Sequence, residues 1–80
     1  MDLSDIQTPL RNYFEQTSDV LNGRLRIRGT RVSVEQVLEL LDAGLTPAEI
    51  VQSFPSLSES AVAAVERLAV RYALTAIQPA

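Results

Sequence analysis

The sequence predicts a mainly α fold: a three-helix helix-turn-helix core entered through a short N-terminal β-hairpin. Three observations predict it. Helix-start signals occur at Ser33, at Thr46-Pro47 and at Ser58, each followed by apolar residues at helical spacing. The second and third helices are separated only by the break Phe54-Pro55-Ser56-Leu57, which is the layout of a short helix, a tight turn and a longer helix. Ahead of them, Asn22-Gly23 leads into Arg24-Leu25-Arg26-Ile27-Arg28, whose charged and apolar residues alternate as in a strand leaving a tight turn.

Taken in order, the chain begins with Leu3, Ile6, Leu10 and Tyr13 or Phe14 at helical spacing, with Thr8-Pro9 suited to a helix start. So short a terminal segment is expected to dock as an arm of one or two turns. The division is then residues 1–17 as arm or strand and residues 18–77 as the helix-turn-helix domain with its hairpin. Asn-Gly supports the positive φ angles of a two-residue hairpin turn, so Val20-Leu21 is the expected partner of the arginine strand. Leu25 and Ile27 then face inward while Arg24, Arg26 and Arg28 line the opposite face. Gly29-Thr30-Arg31 breaks the strand.

Ser33-Val34-Glu35-Gln36 reads as a capping box for the first helix, with Val34, Val37, Leu38 and Leu41 on one face and Gly44 as its stop. Thr46-Pro47-Ala48-Glu49 repeats the device for a helix that buries Ile50, Val51 and Phe54 and ends at Pro55. Ser58 or Ser56 caps the third helix, which is expected to run to about Leu74.

Composition narrows the function. With 80 residues, no cysteine and no histidine, the chain has neither disulfides nor nitrogen or thiolate metal ligands. A composition of 46% hydrophobic and 21% charged residues is that of a folded domain rather than a disordered one. The serines stand at caps without a base beside them, and Glu35 and Glu39 lie on a helix side. The expectation is therefore no enzyme, no metal and no cofactor. No apolar run reaches membrane-spanning length and the start is acidic, so a cytoplasmic protein without membrane contact is expected.

Charge is unevenly placed. The net charge is −3, yet four of the seven arginines lie between residues 24 and 31; without them the balance is three against ten, or −7. Arg24, Arg26 and Arg28 have three open readings: a solvated edge strand, a DNA-backbone contact, or docking to an acidic partner. Gly29, Thr30 and Arg31 read as a structural motif, Arg31 bridging Glu35, Glu39 or a carbonyl with its planar fork. At the start of the third helix, Ser56, Ser58 and Ser60 are candidate phosphate or base contacts, but Glu59 opposes phosphate.

The last helix is apolar nearly all round. From Ala61 to Ile77, thirteen of seventeen residues are apolar. A stripe of Val62, Val65, Ala69 and Tyr72 serves an ordinary core, which leaves Val70, Leu74 and Ile77 as candidate interface residues. A second chain is the expected cover, giving a homodimer; the alternative is that the N-terminal arm folds back over them.

The stretch IRGTRVSVEQVLELLDAGLTPAEIVQSFPSLSESAV, residues 27–62, resembles the bacterial family known as domain of unknown function 433. The resemblance rests on Ile27 to Val32, Ala43-Gly44, Thr46 to Ile50 and Phe54-Pro55-Ser56-Leu57-Ser58, in that order. Tyr13-Phe14-Glu15 also looks like the branch of the family with an N-terminal strand there. The resemblance implies a winged or homeodomain-like helix-turn-helix and an antitoxin encoded beside a PIN-like nuclease toxin. Two functions follow: an antitoxin-like DNA-binding regulator that holds a toxin and operator DNA, or a homodimeric protein-interaction module that no longer reads DNA.

Overall fold

A computed structural model describes residues 2–77 of the chain. Helical turns of the 3-10 type at Leu3–Asp5 and Leu10–Tyr13 lead into strand β1, Phe14–Glu15. A loop then reaches strand β2, Arg26–Ile27, and helices α1, Val34–Asp42, α2, Pro47–Ser53, and α3, Glu59–Ile77, follow. The mainly α, three-helix reading with a short antiparallel hairpin holds.

The hairpin is built from different residues than the spacing predicted. β2 pairs with β1, Phe14 opposite Ile27 and Glu15 opposite Arg26, rather than with Val20-Leu21. Leu21, Asn22 and Gly23 are all left-handed, with φ of 52°, 54° and 79°. They close a turn on themselves, Gly23 N–H donating to the Val20 carbonyl at 3.1 Å and Arg24 N–H to that of Leu21 at 3.1 Å. Asn-Gly thus supplies the positive φ it promised, inside a loop instead of at the hairpin tip. Burial explains the choice of partner: Phe14 is wholly buried in the core, whereas Val20 and Leu21 are half-buried.

β2 is also flanked on its other side. Ile27 N–H donates to the Val32 carbonyl and Val34 N–H to that of Leu25, each at 3.0 Å, with a bridge between Arg26 and Ser33. Leu25, Arg26 and Ile27 are all buried, so the alternation into an inner apolar and an outer arginine face fails at Arg26.

The helix ends follow their local chemistry. Ser33 Oγ accepts from Gln36 N–H at 3.0 Å; the Gln36 side chain makes no return bond among the described residues. Gly44, at φ 96°, ends α1 in a Schellman arrangement: its N–H meets the Leu41 carbonyl and Leu45 N–H meets that of Leu40. The Thr46–Glu49 box forms in full, with bonds of 2.9 and 3.3 Å. The Thr46 backbone N–H foremost, then its hydroxyl, hold the Glu49 carboxyl below its usual range. This contribution to stability is present above the ordinary glutamate pKa and is lost as pH falls through the lowered value. Ser58, not Ser56, caps α3, accepting from Ala61 N–H at 3.1 Å.

The arm belongs to the same core as the helices. Ile6 and Phe14 are buried with Val37, Ile50, Val62 and Val65. Pro9, joined to Thr8 by a cis bond, precedes the 3-10 turn at Leu10 rather than opening an α-helix. Gln16 fastens the arm: its Oε1 accepts from Leu3 N–H and its Nε2 donates to the Gly23 carbonyl, both at 3.0 Å. On α3 the buried residues end at Leu68, and Tyr72, expected in the core stripe, is 63% exposed. The arm lies beside α3 without covering Val70, Leu74 or Ile77, which are 59%, 53% and 76% exposed.

Phe14→Ala is expected to cost about 3–5 kcal/mol, against a total of about 4–12 kcal/mol for a chain of this length. Urea unfolding followed by circular dichroism measures it, and a loss below about 1 kcal/mol would show that β1 is not part of the core.

Candidate functional site

The hairpin register sets a glutamate opposite an arginine, and the surroundings complete a clamp. Arg26 Nη2 donates to Glu15 Oε2 at 2.8 Å, Nη1 to Thr17 Oγ1 at 3.1 Å, and Nε to the Thr30 carbonyl at 3.1 Å. Its side chain is 10% exposed and that of Glu15 31%. Gly29 N–H adds a 3.3 Å bond to the same carboxylate oxygen. A guanidinium committed in three directions is not available to phosphate, and Arg26 leaves the expected row of outward arginines.

Gly29 and Thr30 shape the adjoining turn. Gly29 stands at φ 76° with open space around its missing side chain, so the backbone angle alone asks for glycine. Thr30 Oγ1 donates to the Ile27 carbonyl at 2.9 Å and accepts from Val32 N–H at 3.1 Å. Arg31 does the reverse of its expected task. It is exposed and forms no ion pair or side-chain hydrogen bond among the described residues; Glu35 and Glu39 are likewise unpaired. Arg26 and Arg31 have exchanged roles because Arg26 faces Glu15 in register while Arg31 lies on the outer side of the turn. The signal was present in Tyr13-Phe14-Glu15, eleven residues upstream of Arg26.

Three cations therefore remain on the loop surface: Arg24, Arg28 and Arg31. Arg28 leans on Glu15 at 3.9 Å with its side chain 60% exposed, too loose a contact to occupy the fork. The start of α3 is less well equipped. Ser56, Ser58 and Ser60 are exposed, the Ser58 hydroxyl is engaged in capping, and Glu59 stands in the first turn.

A second surface lies at the other end of α3. Between the arm and this helix runs an open groove of about 480 Å³, with Ile6, Leu10, Leu68, Tyr72 and Leu74 as apolar walls and Arg71 at its edge. Across α3, a shallow concavity is formed by Leu38, Leu41, Leu45 and Val70 with Asp42 and Glu66. The two kinds of surface suit different ligands: planar arginine forks suit phosphate or carboxylate, and the groove suits apolar side chains. Among the described residues no helix is long and apolar enough to cross a membrane.

The model of the family described as "Protein of unknown function (DUF433)" matches residues 15–73. No curated protein matches. The fold is similar to that of a DUF433 member protein from Anabaena variabilis ATCC 29413, known from a crystal structure at 2.00 Å, with a TM-score of 0.67 and 26% identity. The match covers 78% of this chain and 61% of that one, so this chain spans about three fifths of that relative's length.

Arg26→Ala is expected to cost about 2–3 kcal/mol, because it leaves Glu15 without its charge-assisted partner. Arg31→Ala should stay within about 0.5 kcal/mol of the parent. Equal effects in chemical denaturation would overturn the exchange of roles.

Proposed function

The chain belongs to the DUF433 family, and from that premise we propose that it is a cytoplasmic, homodimeric, antitoxin-like regulator. One small chain carries two exposed surfaces of opposite chemistry, and this observation supports the reading best. Arg24, Arg28 and Arg31 form a cationic loop on an otherwise acidic protein, suited to the phosphates of operator DNA. The groove between the arm and α3 is suited to an apolar segment of the PIN-like nuclease that the family resemblance implies as partner.

DNA binding in this scheme works through backbone phosphates and the loop, with Ser56 and Ser60 as secondary contacts and Ser58 held by its cap. A dimer presents six loop arginines. Neutralising about six phosphates gives a salt slope near −5, or roughly a 10³-fold loss of affinity between 50 and 200 mM salt. The second reading, an interaction module that has lost DNA recognition, is favoured by the start of α3, where Glu59 stands among serines and no arginine is present.

Fluorescence anisotropy with the duplex upstream of the gene separates the two. Steep salt dependence is expected, with binding abolished in the combined Arg24→Ala, Arg28→Ala and Arg31→Ala variant. Unchanged binding in that variant would overturn the loop as the contact. Absence of binding at 50 mM salt would favour the interaction module. Tyr72→Asp, at an exposed groove position, is expected to weaken inhibition of the adjacent nuclease at least tenfold in a nuclease assay, and full inhibition would remove the groove from the scheme.

A further inference from the structure

The face of α3 turned away from the core has a symmetry that its exposure alone does not require. At 100° per residue, Ala63, Val70 and Ile77 lie within about 20° of one line along the helix, and Glu66, Arg67, Ala73 and Leu74 flank that line. The buried residues Ala61 and Leu68 are on the opposite side. The line repeats every seven residues, the spacing at which two helices keep one seam in contact. It is also balanced about Val70: seven residues onward stands the large Ile77, and seven residues back the small Ala63.

The chain has surface to spare. Its accessible area is 5419 Å², whereas a compact monomer of 8.8 kDa exposes about 4,800 Å². Its radius of gyration is 12.5 Å, against about 11.6 Å for a compact domain of this length. The surplus of roughly 600 Å² approaches the ~800 Å² that each partner contributes to an interface of standard size. Among the described residues, four of the five large apolar side chains left exposed, Val70, Tyr72, Leu74 and Ile77, lie on the second half of α3, and all but Tyr72 are on the face turned away from the core.

We propose that the occupant of this face is a second copy of the chain, its α3 packed antiparallel on the first with the two-fold axis at Val70. The proposal rests on the dimeric reading above and deepens it by naming the seam. In this register Val70 meets its own symmetry mate, and each Ile77 sits over the other copy's Ala63, large against small. Leu74 lies against the stem of Arg67, and Ala73 against that of Glu66, so both charged ends stay at the rim. A contact that uses the same patch on both copies closes at two. Of the groove's walls Leu74 borders this seam, while Ile6, Leu10, Leu68 and Tyr72 lie round the helix from it and stay open to a different partner.

The absence of cysteine makes the register directly testable in the full chain. Sedimentation equilibrium is expected to give a dimer of the parent. Val70→Glu, at an exposed position, should weaken dimerisation at least 100-fold while circular dichroism and urea unfolding remain those of the parent. With a short bis-maleimide, Val70→Cys should cross-link to itself. Ile77→Cys should cross-link when mixed with Ala63→Cys and not when alone. A monomeric parent at 100 µM would overturn the dimeric reading and this seam together. A dimer that survives Val70→Glu and gives no cross-link through Val70→Cys would overturn the seam alone and leave the dimeric regulator standing. Self-cross-linking of Ile77→Cys would overturn the antiparallel arrangement.

Discussion

The ion pair between Arg26 and Glu15 is the constraint on which the first half of the molecule depends. Two-residue strands hold few ladder bonds, and a pairing so short is weak without side chains to fix it. The guanidinium supplies that fixing by reaching β1, Thr17 and the Thr30 carbonyl at once. With the register set, Phe14 enters the core, Gly29 turns the chain, and Ser33 arrives beside β2 where α1 starts. The same commitment determines which cations remain free. One arginine of the cluster is consumed internally, and the other three are left at the surface of a molecule that is elsewhere anionic.

α3 divides into two parts with different physical tasks. Up to Leu68 it supplies the inner wall of the core through Ala61, Val62, Ala64, Val65 and Leu68. Beyond that point its outer side is exposed at Val70, Leu74 and Ile77, although its residues stay as apolar as before. Such a composition is costly to keep in water, because each exposed side chain forfeits the transfer energy that burial returns.

How much of this was legible in the sequence depended on the range of the interaction. Ser33, Gly44, Thr46, Glu49 and Ser58 announced their helix ends because a cap is made within four residues. The loop cations at Arg24 and Arg28 were legible from alternation alone. The partner of β2 was not, because Glu15 and Arg26 are eleven residues apart and two-residue strands show no alternation of their own. Asn22-Gly23 misled for a related reason: its left-handed preference is local, and it does not say whether a hairpin or a closed loop uses it. Glu35 and Glu39, close to Arg31 in sequence, point the clamp to that residue, whereas the clamp requires a glutamate brought from afar by pairing. Tyr72 lies on the core stripe and yet is exposed, because periodicity gives the direction a side chain faces and not the point where the neighbouring elements stop.

Gln16 carries a consequence for how the native state opens. Its one amide joins Leu3 to Gly23, so freeing either segment leaves half of that amide without its partner. The N-terminal turns and the loop before β2 are thereby joined through one side chain and are expected to open together in sub-global fluctuations. Deuterium would then enter both segments at one common rate, although twenty residues of sequence separate Leu3 from Gly23.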